Sequence, residues 1–292
     1  MYVKSSTLGD MKITKAIIPV AGWGTRRLPI TKSIEKCMLP IGNVPVIDFI
    51  VQDCLKAGVT DIYFVVSPGA TQLKSYYSES HTLEDYLNLN HKESMTNLVQ
   101  PPRGVSFHYI EQDTSNGLYG TTVPVWLCRE YIQEHEQVLV IMGDQFFYRT
   151  DHGSNAADLI AEVVRSGVKS GLLGVPVPLS EVQKYGVIEK DTKDDYVRIV
   201  EHPKPEEAPS NLNNASFYVF ERALFDYLDK DIQRNRDGEY MIIDAINEYV
   251  RDGNRVIVRQ AKGEYLDAGN VEGWLHANNR VLTDQYHLSA DL

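Results

Sequence analysis

Residues 21–40, AGWGTRRLPITKSIEKCMLP, carry the residue types best suited to holding a phosphorylated ligand. Gly22 and Gly24 follow a short apolar run, and glycines at the end of a strand let backbone N–H groups approach a phosphate. An Arg guanidinium offers a planar fork for bidentate phosphate contacts, and a Lys ammonium offers a compact charge. The cations of the segment fall within eleven residues: Arg26, Arg27, Lys32 and Lys36. Arg27 or Lys32 alone is more typical of a solvated basic loop, but the whole arrangement predicts a phosphate-binding loop.

Two common phosphate-binding motifs do not match this segment. The dinucleotide fingerprint requires a third glycine at the start of a helix, whereas Gly24 is followed by TRRLPITK and Pro29 interrupts any helix. A P-loop requires Gly-Lys-Ser/Thr, which does not follow either. The segment therefore argues against a nicotinamide-dependent dehydrogenase and against a P-loop.

The elements around this loop are typical of a parallel α/β sheet. Lys15–Ala21 predicts a buried strand, and Pro45–Ala57 has apolar residues at helical spacing and ends at Gly58. Ile62–Val66 predicts a second buried strand. Strand, glycine loop, helix and strand in this order indicate parallel pairing.

Ligands of open α/β sheets bind at the loops beyond the carboxyl ends of the strands. Three such loops are candidates, Gly22–Arg27, Gln112–Gly120 and Gly143–Gln145, each after a predicted strand. The second half of the chain carries strands with less helix between them, and then helices that end with Gly269–Gln285. Because no low-complexity linker interrupts the chain, we expect one continuous domain with a mixed sheet.

Composition excludes several classes of protein. The 29 Lys and Arg residues against 40 Asp and Glu residues give a net charge of −11, which argues against a nucleic-acid or membrane-surface binder. No apolar run reaches the roughly 18–20 residues that span a membrane, and the N-terminal residues do not resemble a signal peptide. Cys37, Cys54 and Cys128 are odd in number and lack metal-site spacing. We therefore expect a cytoplasmic protein with reduced thiols.

The submotifs GWGTR, PITK and KCMLP occur in order in residues 22–40 and resemble the signature of the sugar-1-phosphate nucleotidyltransferases. The resemblance extends along the chain from Lys15. Segments similar to the bacterial UTP–glucose-1-phosphate uridylyltransferase branch are YGV at 185–187, APSNL at 208–212, GEYMIIDAI at 238–246 and DAGN at 267–270.

This resemblance implies a fold, an activity and partners. The fold is a single three-layer, Rossmann-like α/β domain with a mostly parallel mixed sheet. Residues 1–14 are an N-terminal extension, about 15–150 the nucleotide-binding half, and about 151–292 the sugar-binding and accessory half. The implied reaction transfers a nucleotidyl group, with UTP favoured, to a sugar 1-phosphate, with glucose 1-phosphate favoured, and releases pyrophosphate. It requires Mg²⁺, and relatives form dimers or tetramers, so we expect a homo-oligomer.

The resemblance also assigns roles to residues of this chain. Gln112 is expected to bind the pyrimidine edge, because an amide both donates and accepts hydrogen bonds, and Gly117 to pack closely beneath the base. Asp144 and Asp267 are the expected Mg²⁺ ligands, although an Asp after a strand is often only a turn former. The other residues are expected to hold the phosphates of the nucleotide (Ala21, Gly22, Gly24 and Thr25), to neutralise the reacting phosphates (Arg26 and Lys36) and to bind the sugar (Gly186 and Glu201).

His202 departs from the family pattern, in which a lysine at this position contacts the phosphate of the sugar substrate. A histidine is shorter and, with an unperturbed pKa of ~6.5, only partly charged at neutral pH. A nearby phosphate raises the pKa of an imidazole, so His202 is expected to act as a protonated donor. Lys204 and Lys184 are candidates to compensate.

Two other functions stay open at this stage. A thymidylyltransferase that acts on glucose 1-phosphate differs by a small apolar pocket for the thymine methyl group. A non-catalytic paralogue that binds a sugar nucleotide and regulates a partner is suggested by His202. The presence of Arg26, Lys36, Asp144 and Asp267 argues against that second alternative, because a binding module has less need of these residues.

Overall fold

The computed structural model describes residues 12–234 and 238–286 as a central sheet with helices on both faces. The strands are β1 Lys15–Pro19, β2 Pro40–Ile41, β3 Val44–Pro45, β4 Asp61–Val66, β5 Ser106–Glu111, β6 Gln137–Ile141, β7 Gln145–Tyr148, β8 Ser170–Pro176, β9 Gly186–Lys190, β10 Tyr196–Glu201, β11 Leu212–Glu221, β12 Val256–Gln260 and β13 Glu264–Asp267. The α-helices are α1 Val46–Lys56, α2 Gln72–Tyr76, α3 His81–Leu89, α4 Thr122–Leu127, α5 Asn155–Ser166, α6 Leu224–Gln233, α7 Ile242–Arg251 and α8 Val271–Tyr286.

The main sheet has the strand order β10-β9-β11-β6-β1-β4-β5, and β8 joins β11 and β12. Strands β1, β4, β5 and β6 are all parallel, whereas β11 runs antiparallel to β6. This arrangement confirms the predicted α/β domain with a mixed sheet. The carboxyl ends of β1, β5 and β6 meet at one edge, so the loops that follow them also meet there.

Two apolar clusters cover the faces of the sheet and give the predicted three layers. One face packs against α1, α5 and α8 through residues such as Val51, Leu159 and Val281. The other packs against α4, α6 and α7 through residues such as Val125 and Leu228. Every residue of β6 is buried, as expected for a central strand that is covered on both sides.

The structure differs from the predicted elements in three places. The sequence of Tyr119–Gln133 predicts one helix, but the structure has only α4 and a short 3₁₀ turn at Arg129–Tyr131. The φ of +113° at Gly120 excludes a helix that starts at Tyr119. Helix α5 and the two-stranded ribbon of β7 and β13 were not predicted. Residues 1–11 of the predicted extension lie outside the described residues, and Ile13 is buried in the core. No helix of the described residues is long and apolar enough to cross a membrane.

Candidate active site

A cavity of about 450 Å³ lies at the edge of the sheet where the three candidate loops meet. Ala21 and Gly22 follow β1, Gln112 follows β5, and the Gly143–Gln145 turn follows β6. Lys36 reaches the same cavity from the basic segment. The parallel strands therefore bring together residues that are far apart in the sequence.

The glycine loop folds back on itself above the end of β1. Gly24 has a φ of +63°, and a Cβ at this position would lie 2.9 Å from the Thr31 methyl carbon and 3.2 Å from Cβ of Lys36. The Thr31 hydroxyl donates a hydrogen bond to the Gly24 carbonyl at 2.9 Å. A Cβ on Gly22, in contrast, would have no atom of the described residues within 4 Å. Gly24 thus shapes the loop, and Gly22 leaves its backbone open to the cavity.

The cations of the basic segment have different environments. The Arg27 side chain is buried, donates to the Asn270 carbonyl at 2.7 Å and lies 4.9 Å from the centroid of the Trp274 ring. Burial lowers the pKa of its guanidinium. Arg26 and Lys32 are exposed, and neither lines the cavity. Arg27 therefore fastens the loop to the start of α8, whereas Lys36 alone of these side chains enters the cavity.

Lys36, Asp144 and Asp267 converge on one point. The Lys36 ammonium pairs with Oδ2 of Asp144. The ribbon brings in Asp267, because this residue pairs with Gln145 in the register of β13 and β7. A Cβ on Gly269 would lie 2.7 Å from Oδ1 of Asp267 and 3.5 Å from both Oδ2 of Asp144 and Nζ of Lys36.

The donor set at this point fits a hard divalent cation. Mg²⁺ in proteins usually takes one or two carboxylates and completes its shell with substrate phosphates and water. The two aspartates face the space beside Gly269, which any side chain at that position would fill. The Lys36 ammonium supplies a positive charge there. The described residues contain no group of three or more His, Cys, Asp or Glu side chains placed to hold a metal, and at this point the protein supplies two carboxylates.

Gln112 and Gly117 have different positions in the loop after β5. Gln112 is buried at the cavity wall, and its backbone N–H donates to the Val66 carbonyl at 2.9 Å. Gly117 has a φ of +77°, but a Cβ there would meet none of the described atoms within 4 Å. The packing expected at Gly117 is against a bound base, and the space at this glycine is open; close packing within the protein occurs at Gly120, where a Cβ would lie 2.4 Å from the Tyr240 carbonyl oxygen. Gly117 is thus required for the turn and not for packing within the protein.

Gly186 and Glu201 face each other across β9 and β10, where they pair in register. A Cβ on Gly186 would lie 2.8 Å from Oε1 of Glu201. Neither residue lines the 450 Å³ cavity, and the Glu201 side chain is about half exposed. The two predicted sugar-binding residues are therefore adjacent to each other, on a second strand pair beside the cavity.

His202 has an exposed side chain, which does not line the cavity. Its φ is +48°, its ring is 67% exposed, and its Nδ1 lies 3.1 Å from the Gln183 carbonyl oxygen. The two lysines proposed to compensate have local partners, Glu207 for Lys204 at 3.7 Å and Glu181 for Lys184 at 3.5 Å. In the described structure these three side chains do not line the cavity.

Sequence reasoning missed several residues of the cavity wall, among them Trp23, Tyr119 and Ser216. Trp23 lies between two predicted loop glycines and is visible in the motif itself. Ser216 gave no signal, because its place depends on β11 lying beside β6.

Comparisons with known proteins agree with this geometry. The family model described as nucleotidyl transferase matches residues 15–284. The UTP–glucose-1-phosphate uridylyltransferase of Pseudomonas aeruginosa is 31% identical over 280 residues, which cover 94% of this chain and 98% of that protein. The enzyme of the same name from Streptococcus pneumoniae is 33% identical over 272 residues, 90% of this chain and 88% of that protein. A crystal structure of a UDP-glucose pyrophosphorylase complexed with UDP-glucose superposes with a TM-score of 0.78 at 29% identity, over 94% of this chain and 100% of that chain.

Proposed function

Because the chain belongs to the nucleotidyl transferase family, we propose that it transfers a uridylyl group from UTP to glucose 1-phosphate and releases pyrophosphate. The observation that carries this proposal is the convergence of Lys36, Asp144 and Asp267 beside the glycine loop. The uridylyltransferases that share about 30% identity over nearly the whole chain support the choice of UTP and glucose 1-phosphate.

In the proposed reaction a phosphate oxygen of glucose 1-phosphate attacks the α-phosphorus of UTP. A phosphorus–oxygen bond forms there, the bond from the α-phosphorus to the bridging oxygen breaks, and pyrophosphate leaves with the electron pair. The attacking phosphate is already ionised at neutral pH, so no protein base is required. The protein's contribution is then positioning and the stabilisation of negative charge.

Lys36 is proposed to place its ammonium beside the α-phosphate, where negative charge accumulates in the transition state. Asp144 and Asp267 are proposed to hold a Mg²⁺ ion, which would neutralise phosphate charge and orient the two reacting groups. Such an ion would give the Asp144 carboxylate a second cationic partner, and Lys36, which pairs with Asp144 in this structure, would then be free to turn toward the substrate. Arg26, on the exposed rim of the same loop, is proposed to contact the leaving pyrophosphate.

The remaining contacts follow the two halves of the domain, about 15–150 and about 151–292. The backbone of Ala21–Thr25, which includes Gly22 and Gly24, is proposed to hold the triphosphate. Gln112 is proposed to bind the uracil edge above the Gly117 turn. Gly186 and Glu201 are proposed to bind the glucose hydroxyls. His202 is proposed to reach the sugar phosphate only by turning away from its present carbonyl partner. Assembly into dimers or tetramers and a cytoplasmic location stay predictions.

Pyrophosphate release measured over a panel of nucleoside triphosphates and sugar 1-phosphates tests this function. We expect the highest kcat/KM with UTP and glucose 1-phosphate. A preference for dTTP would favour the thymidylyltransferase, and no release with any pair would favour a binding protein.

Two lysine variants locate the chemistry within the basic segment. Lys36→Ala is expected to lower kcat by about 100-fold or more, the effect of removing one donor that stabilises a developing anion. Lys32→Ala is the matched control, because it removes an exposed charge of the same segment outside the cavity, and it should change kcat less than 3-fold. Equal, small effects of the two substitutions would contradict the assignment of Lys36.

A further inference from the structure

Strand β11 is interrupted at the wall of the cavity. Its pairing with β8 shifts register between Asn214 and Tyr218, and Ser216 between them has a φ of +52°. This left-handed conformation favours glycine, so a serine there is held by its surroundings at a conformational cost. Residues in such conformations cluster at functional sites, which makes the Ser216 side chain a candidate for a role of its own.

Backbone hydrogen bonds hold Ser216 next to the turn that carries Asp144. The Ser216 carbonyl accepts from the Met142 N–H at 3.1 Å, and the Ser216 N–H donates to the Asn214 side-chain oxygen at 3.2 Å. Met142, Gly143 and Asp144 line the same cavity as Ser216. Ser216 therefore lies at the cavity wall, in the strand adjacent to β6, which leads to Asp144.

The Ser216 side chain belongs to a partly buried chain of polar groups, of which Tyr218 is fully buried. The Asn214 side-chain amide donates to the phenol oxygen of Tyr218 at 2.8 Å, and the Ser216 hydroxyl lies within hydrogen-bonding reach of the same phenol. Burial raises the pKa of Tyr218 to about 12, so the phenol keeps its proton. In this arrangement the hydrogen bond from Ser216 lowers the pKa of Tyr218, so the Ser216 hydroxyl donates to the phenol oxygen. When an anion lies in the cavity, the phenol can instead donate to the Ser216 oxygen, which leaves the Ser216 proton for the anion.

The position of this chain of groups identifies the acceptor. Asn213 pairs with Val187, the neighbour of Gly186, so β11 runs from the sugar-binding strand pair to the cavity. The charge of the Glu201 carboxylate also raises the pKa of Tyr218. Ser216 thus lies between the residues proposed for the sugar and those proposed for the α-phosphate, where a sugar 1-phosphate would place its anionic oxygens.

We propose that Ser216 is a specificity-determining residue whose hydroxyl donates a hydrogen bond to the phosphate of the sugar 1-phosphate, with Asn214 and Tyr218 as positioning residues. The inference rests on the proposed function. It also supplies a phosphate donor in a region where His202, Lys184 and Lys204 are directed elsewhere.

Two substitutions at one position separate the hydroxyl from the backbone. Ser216→Ala removes the hydroxyl and keeps the constrained backbone, whereas Ser216→Gly removes the hydroxyl and relieves the constraint. Both should raise the KM for glucose 1-phosphate by about 10–100-fold, the usual effect of losing a hydrogen bond to a charged group. The KM for UTP should change less than 3-fold. Calorimetric Kd values should follow the same division, with UDP-glucose weakened and UTP unaffected, and Ser216→Gly should unfold at a higher temperature than Ser216→Ala.

Tyr218→Phe tests the positioning role, with Tyr249→Phe as the matched control. Tyr249 is another fully buried tyrosine, and its phenol donates to Glu221 outside the site. We expect Tyr218→Phe to raise the KM for glucose 1-phosphate by about 3–10-fold, and Tyr249→Phe to leave that KM unchanged.

Three results would overturn the inference. Normal KM values in both Ser216 variants would exclude a contact with the substrate. A normal KM in Ser216→Gly with an impaired Ser216→Ala would show that only the backbone matters. Equal KM increases for UTP and glucose 1-phosphate would place the hydroxyl at the nucleotide. A wild-type protein that neither turns over nor binds UDP-glucose would instead refute the proposed function itself.

Discussion

A methyl group added at Gly269 would enter the space shared by the three groups of the proposed metal centre. The substitution Gly269→Ala places Cβ 2.7 Å from Oδ1 of Asp267 and 3.5 Å from both Oδ2 of Asp144 and Nζ of Lys36. The first distance is too short for a carbon beside a carboxylate oxygen. Since the Gly269 N–H donates to that same oxygen at 2.7 Å, relief requires the Asp267 carboxylate to turn or the loop to shift.

The effect on folding should be small. Gly269 is not among the described residues with a positive φ, so alanine fits its backbone. Overpacking costs about 1–3 kcal/mol, and the smaller entropy of the unfolded chain returns about 0.4–1 kcal/mol. We therefore expect the free energy of unfolding to fall by no more than about 2.6 kcal/mol. The affinity for Mg²⁺ should fall by about 10–100-fold, as when a metal ligand loses its correct orientation.

The assay is pyrophosphate release as a function of Mg²⁺ concentration, together with thermal unfolding. Gly171→Ala is the matched control, because its Cβ would be similarly crowded, 2.9 Å from a Val163 methyl and 3.0 Å from Cγ1 of Ile257, but within the apolar core. The control should lose stability and keep the Mg²⁺ concentration at half-maximal activity. An unchanged Mg²⁺ dependence in Gly269→Ala would refute the proposed metal centre.

Three further predictions concern the attachment of the glycine loop, the packing of Gly120 and the pH dependence of stability. Arg27→Ala should lower the free energy of unfolding by about 2 kcal/mol in urea denaturation, because it loses a charge-assisted hydrogen bond and a ring contact, whereas Arg26→Ala should leave stability unchanged and reduce kcat/KM. Gly120→Ala should cost about 3 kcal/mol or more, since its Cβ would clash with the Tyr240 backbone at a positive φ; an unchanged melting temperature would contradict this. Burial raises the pKa of Asp48, so the native state binds this proton more tightly than the unfolded chain, and stability falls as pH rises through the raised pKa. Asp48→Asn should therefore have a higher melting temperature than the wild type at pH 8, with a difference that disappears at low pH.

The first half of the fold was predictable because its strands are central and parallel. β1, β4 and β6 are covered on both faces, so they appear in the sequence as unbroken apolar runs followed by loop residues. Local chemistry also sufficed for Gly24, which requires a left-handed backbone. Placing Gln112, Asp144 and the glycine loop at one edge needed only the rule for parallel strands.

The rest of the site depends on contacts between distant residues. β7 and β13 are four-residue strands that pair only with each other, and neither has a periodic signal long enough to detect. Asp267 was therefore linked to Asp144 by family resemblance alone. The burial of Arg27 could not be predicted from the sequence either, because it depends on a contact with Trp274, which is far away in the sequence. In the sequence Arg27 is indistinguishable from Arg26.

The excess of acidic residues in the chain extends to the proposed metal centre. At the point beside Gly269 two carboxylates face one ammonium, so without a ligand this centre does not carry the net positive charge that a triphosphate requires. The two other nearby cations do not change this balance, since Arg27 is committed to α8 and Arg26 lies on the exposed rim. In the proposed mechanism, a divalent ion brought with the nucleotide would reverse the sign of the centre and give both carboxylates a partner. The same two residues would then disfavour a free anion and favour its metal complex, which would reconcile an acidic protein with the proposed polyanionic substrate.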